Sequence, residues 1–176
     1  EGRATLTEIF QIRPPLSSYD VISRLDLDTF YNFLVNPFKL SAQYSDTPPA
    51  ELCKTFTANG PDADPLEAFK LLIKNPININ YTETLRQWSH TSFLAPGTST
   101  RLWIFQTCNE LGYFLTTNRG TNAFRQAQST NSWIEHCERL FDIDVDQVER
   151  NVEATLDHYG GRDYYAGTNV IFTHGT

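Results

Sequence analysis

Serine-based hydrolysis needs a nucleophile on a strained strand-to-helix elbow, written G-x-S-x-G, within reach of a histidine base. None of the serines in this chain, from Ser17 to Ser132, lies between glycines at that spacing. The four histidines, His90, His136, His158 and His174, are scattered, and no two stand at the i, i+4 spacing of a zinc-binding helix. His136 precedes Cys137 directly, but adjacent helical positions point in different directions, which argues against a Cys–His catalytic pair. No glycine-rich phosphate loop is present. The expectation is therefore no catalytic residue, no metal site and no cofactor within these residues, and no catalysis by this chain on its own.

Composition narrows the classes further. The 176 residues include 40% hydrophobic and 13% aromatic side chains, enough for one globular domain with a core. Net charge is −7, with 14 Lys and Arg that form no stripe, which argues against a nucleic-acid partner. Uninterrupted apolar stretches fall well short of the ~20 residues of a membrane span. Methionine is absent, so Glu1 is expected to be a trimmed or excised start.

The elements that position these side chains read as mostly α. Ser17, Ser18 and Asp20 are candidate N-caps for a helix carrying Ile22, Leu25, Phe30, Phe33 and Leu34, with Pro37 as its stop. Thr47-Pro48 and Asp64-Pro65 each combine a cap with a proline at the first helical position. Residues 75–97 show no clean period and read as loops. Trp133, Ile134, Cys137, Leu140 and Phe141 form one helical stripe. Val145, Val148, Val152 and Leu156 form another, between Asp144 as cap and Gly160-Gly161 as stop. Asn169 to Thr173 has the β-branched, apolar character of a buried strand, with Leu102 to Phe105 as its one candidate neighbour.

Cysteine usage leaves two alternatives. Cys108 and Cys137 would close a loop of about thirty residues, worth roughly 3–4 kcal/mol if bridged, or they are buried thiols of a cytosolic protein. Asn80-Tyr81-Thr82 is a glycosylation sequon, a weak pointer towards secretion.

The segment RLWIFQTCNELGYF, Arg101 to Phe114, concentrates aromatics around a cysteine. Taken with Cys137 to Phe141, Tyr159-Gly160-Gly161 and Thr168 to Phe172, it resembles the serine peptidases related to lysosomal Pro-X carboxypeptidase, dipeptidyl peptidase II and thymus-specific serine protease. The matching pattern is R-x-W-x-x-Q-T-C-x-E-x-G, carried by Arg101, Trp103, Gln106, Thr107, Cys108, Glu110 and Gly112. A looser match covers Phe10 to Leu16, where Arg13 replaces a family cysteine.

That resemblance implies a helical cap, inserted into an α/β-hydrolase-type serine peptidase, with a C-terminal strand of the hydrolase sheet. The implied division is 1–100 for the cap, 101–166 for the motif segment and returning helices, and 167–176 for the strand. It implies a Cys108–Cys137 bridge, leaving Cys53 free or paired outside these residues, and a secreted or lysosomal location. The triad serine would precede Glu1, and its acid and histidine would follow Thr176. The implied partners are the remaining hydrolase core, a peptide with proline near the scissile bond, and a second copy in a homodimer.

Three residues are substrate-pocket candidates on the same basis. Trp103 either offers a flat wall to a pyrrolidine ring or packs in the core. Glu110 either holds a substrate amine or makes a structural hydrogen bond. Asn122 lies near where dipeptidyl members place an acidic residue, or is a turn residue. A competing expectation is a non-catalytic secreted homologue that acts in assembly or binding.

Overall fold

The computed structural model describes residues 1–18, 22–44, 48–118, 120–161, 167–169 and 171. Its chain divides into two compact units, Glu1–Arg86 with Leu115–Ser132, and Gln87–Phe114 with Trp133–Thr176. The helices are α1 (Gly2–Phe10), α2 (Arg24–Gln43), α3 (Pro49–Thr57), α4 (Pro65–Leu72), α5 (Tyr81–Trp88), α6 (Thr98–Gln106), α7 (Thr130–Phe141) and α8 (Val145–Tyr159). A π-helical turn, Thr107–Leu111, continues α6. The fold is mostly helical, and among the described residues no strand forms beyond an isolated bridge, Arg13 to Asn78.

The first unit is organised by α2. Ser23, rather than Ser17, Ser18 or the undescribed Asp20, caps this helix. Its hydroxyl accepts from Asp26 N while Asp26 accepts from Ser23 N, a reciprocal capping box. The other carboxylate oxygen of the buried Asp26 accepts from Tyr81 N at 2.8 Å, tying the start of α2 to the start of α5. Contrary to expectation, α2 runs straight through Pro37. An internal proline costs a helix about 3 kcal/mol through its missing N–H and its ring. Packing beyond it offsets that cost: Phe38 meets Phe56, Phe69 and Phe124, with Phe124 edge-on at 4.9 Å.

Phe10, Ile12, Leu16, Phe30, Ile77 and Ile79 form the core of this unit. The Phe10 to Leu16 segment enters that core beside Ile77 and Ile79. Arg13 N donates to Ile77 O and Ile79 N donates to Arg13 O, so the two stretches satisfy each other's backbone. Asp64 caps α4 as expected, with Pro65 first in the helix. The cap before α3 is Pro48 and its first residue is Pro49, one position later than expected; Thr47 lies outside the described residues. The expected loop over 75–97 contains α5. Asn80 accepts from Glu83 N at its start, and Tyr81, Leu85 and Trp88 supply a stripe of only two turns.

In the second unit, Leu102 to Phe105 is helical, not a strand neighbour. The stripes expected for α7 and α8 are present, with Asp144 accepting from Gln147 N and Gly160 closing α8 at φ 76°. Cys108 and Cys137 are bonded, with Cα atoms 5.6 Å apart, and both are fully buried. They make up the core with Ile104, Ile143 and Val148. Of the expected C-terminal strand, Val170, Phe172 and Thr173 lie outside the described residues. Asn169 adopts a left-handed φ of 61°, and Ile171 is exposed.

The bridge spans 29 positions, and chain-entropy arithmetic assigns it about 3–4 kcal/mol. Replacing both cysteines by serine is expected to lower stability by that amount in urea unfolding. An unchanged midpoint would show that the bond contributes nothing to stability.

Candidate functional site

The Arg101 to Gly112 segment divides by direction. Its inward half holds the second unit together. The Arg101 guanidinium lies 4.7 Å from the centre of the Phe141 ring and donates to Trp88 O at 3.4 Å. Thr107 is buried and donates its hydroxyl to Ile104 O. Cys108 carries the bridge. Gly112 ends the π-helical turn at φ 63°, its N–H donating to Thr107 O at 2.8 Å. A β-carbon on Gly112 would stand 2.9 Å from Val152 Cγ2, so both backbone angle and space require glycine there.

The outward half faces solvent. Trp103 is 50% exposed in this chain. Gln106 and Glu110 are exposed as well, and the Glu110 carboxylate bonds no described residue. Leu102 is exposed beside Trp103, and Phe93 and Leu94, just before α6, are 86% and 89% exposed. Aromatic packing lies behind this face, where Phe105 meets Phe141 edge-on at 5.2 Å. His136 sits between Trp88 and Trp133, with ring centres 5.4 and 5.5 Å away.

Trp103 and Glu110 belong to the second unit and Asn122 to the first. Asn122 Nδ2 donates to Thr117 O at 2.8 Å while its Oδ1 accepts from Phe124 N at 2.9 Å. These bonds shape the turn that brings Phe124 against Phe38. Asn80 is exposed while its Oδ1 caps α5, and Tyr81 at the middle of the sequon is buried. Among the described residues no group of three His, Cys, Asp or Glu side chains could hold a metal ion.

Reading by position missed two features. The buried amide of Gln128 donates to Asn32 Oδ1 at 2.9 Å, and Lys39 Nζ donates to the same oxygen at 2.7 Å. Desolvation holds the Lys39 ammonium below its ordinary pKa. No short sequence pattern joins residues so far apart. The other is a cleft between α2 and α3, lined by side chains that read simply as helix faces.

A family model for serine carboxypeptidase S28 matches residues 1–176. The chain belongs to that family. It is 26% identical, over its whole length, to 37% of a Caenorhabditis elegans protein named as a candidate serine protease. Identity is 31% over 56% of the chain to the thymus-specific serine protease of Mus musculus, of which it covers 19%. A probable serine protease of Arabidopsis thaliana is 40% identical over 43% of the chain, which covers 15% of that protein. The chain thus spans little more than a third, or less, of the length of these relatives. No solved structure gives a significant match.

Two outcomes follow for this S28 chain. Gly112→Ala is expected to destabilise it by about 1–3 kcal/mol, from the left-handed angle and the Val152 clash together. Val152→Ala in the same chain should recover the steric part, so its effect must be smaller there than in the parent; equal effects would refute the contact. Asn122→Asp keeps the acceptor for Phe124 but loses the donor to Thr117 O, at about 1–3 kcal/mol. Protonating the new carboxyl restores a donor, so its folded pKa is raised and the loss must grow as pH rises through that value. Unfolding midpoints between pH 4 and 8 check both the size and the sign.

Proposed function

We propose that this chain is the helical cap of a secreted or lysosomal serine exopeptidase that acts beside proline. The observation carrying this reading is the outward half of the Arg101 to Gly112 segment. Trp103 presents a half-exposed aromatic face, and Glu110 lies a short way along the same helix with a carboxylate that bonds no described residue. A π-helical turn at this position adds support, since such insertions in α-helices are frequent at functional sites. In this reading Trp103 forms one wall for the pyrrolidine ring and Glu110 meets a polar group of the peptide. The nucleophile, histidine base and aspartate orienter come from polypeptide outside residues 1–176, and the acyl-transfer chemistry is theirs. The bonds made by Asn122 favour a turn role over substrate contact, so its neutral side chain no longer argues against dipeptidyl specificity.

A second reading uses the same surface. Phe93, Leu94, Leu102 and Trp103 are exposed apolar side chains close in sequence, as an assembly or binding protein would also need. A non-catalytic secreted homologue that associates through this face is the alternative.

A fluorophosphonate probe applied to the full-length protein separates the two. The peptidase reading requires one labelled serine, outside residues 1–176, and no label on the isolated chain. Label on the isolated chain, or none on the full-length protein, would overturn it. In the labelled enzyme, Trp103→Ala is expected to raise KM for a proline-containing peptide by roughly tenfold with little change in kcat. An unchanged KM would remove Trp103 from the pocket.

A further inference from the structure

We propose that the open cleft beside Arg13 seats the first sugar of a glycan carried on Asn80. Arg13, Pro14, Pro76, Ile77, Asn78 and Asn80 line this cleft, whose volume is about 430 Å³. The sequon Asn80-Tyr81-Thr82 places the residue that would be modified in the cleft wall itself. A sugar bonded to Asn80 is held at the cleft by its attachment, at high effective concentration. An open cleft suits such a tethered occupant, because the rest of a bulky glycan must run out into solvent.

Hydrogen bonds fix which atom each amide has to offer. Asn80 Oδ1 accepts from Glu83 N at 3.0 Å, which leaves Nδ2 for the glycosidic bond. Asn78 Oδ1 accepts from Asn80 N at 3.0 Å, which leaves its own Nδ2 as a donor. The Arg13 backbone is pinned alongside Asn78, donating to Ile77 O at 2.8 Å and accepting from Ile79 N at 2.7 Å. Its guanidinium, by contrast, is exposed and bonds no described residue. None of the described lining side chains is acidic. The cleft thus combines hydrogen-bond donors with two proline rings. An N-acetylated hexose complements both: its hydroxyl and acetamide oxygens accept, and its C–H face covers apolar surface.

The attachment uses a lipid-diphosphate-linked oligosaccharide of the secretory route. Nδ2 bonds to the anomeric carbon and loses a proton, while the bond from that carbon to the diphosphate breaks and the diphosphate leaves. Tyr81 is buried and its N–H is bonded to Asp26, so attachment precedes folding of this stretch. The proposal rests on the secreted or lysosomal reading, but not on the peptidase chemistry, since the whole cleft belongs to the first unit.

The test uses the full-length protein made in cultured animal cells, located by cell fractionation. Peptide mass spectrometry should find a glycan on Asn80 that Thr82→Ala abolishes. Peptide N-glycosidase should release it slowly from the native protein, because a seated sugar is covered. Arg13→Ala should speed that release about fivefold, the effect of losing one hydrogen bond to the sugar. Arg13→Gln should act in the same direction, and both variants should fold as the parent does, since no bond within the described residues is lost. After denaturation all three proteins should release the glycan at one rate. A secreted or lysosomal protein with Asn80 bare overturns the proposal and leaves the reading of its location standing. A protein that stays in the cytosol overturns both. Equal release from native parent and Arg13 variants means that the sugar points into solvent, which also overturns the proposal.

Discussion

The Cys108–Cys137 bond is the constraint on which the second unit depends. Among the described residues its apolar core is Ile104, Ile143 and Val148 around the two cysteines, with Trp88, Phe114, Ile134, Leu140, Phe141 and Val152 packed partly buried against it. A covalent link at the centre of this cluster adds stability by restricting the unfolded chain. The bond also joins two elements of different kind. Cys108 stands in a π-helical turn, where the helix takes in extra backbone, and Cys137 stands in a regular helix. Gly112 then ends the turn against Val152 of α8, so three elements meet around one bridge. With its inward side fixed, the segment can leave Trp103 and Glu110 facing outward without losing its place.

The first unit solves the same problem by polar means. Asp26 is a buried carboxylate with both oxygens bonded, one within its own cap and one to the α5 backbone. A second set of bonds runs along α2: Asp28 accepts from Ser132, and Asn32 from Gln128 and Lys39. These bonds hold Gln128 and Ser132 on a helix that precedes them by about a hundred residues. The aromatic cluster of Phe38, Phe56, Phe69 and Phe124 then lets α2 continue past Pro37. That continuation builds one side of the α2–α3 cleft, because Phe38, Ser41 and Ala42 all follow the proline.

Where the sequence was a sound guide, the signal was local. Asp144 with the Val145 to Leu156 stripe, and Asp64 with Pro65, carry cap and period within a few residues, and both helices stand as expected. Where it misled, distant packing outweighed a local rule. Pro37 reads as a stop, yet contacts made far along the chain repay the broken hydrogen bond. Residues 102–105 look like a strand by composition, but the bridge and the Phe141 contact favour a helix. The short α5 stripe fell below recognition because two turns give little period to count. Of the candidate site, the pattern marked Trp103 and Glu110, while the cleft between α2 and α3 had no signature.

By itself, the sequence determined the family, the helical class and the residues of the motif segment, and it left the cysteine pair open until the family resemblance was added. Those properties reside in residue types and short spacings, which survive without coordinates. Tertiary structure alone decided which way each residue of that segment points and that α2 passes its proline. Each of these is a balance among groups far apart in the chain, and such balances are set only when the chain has folded.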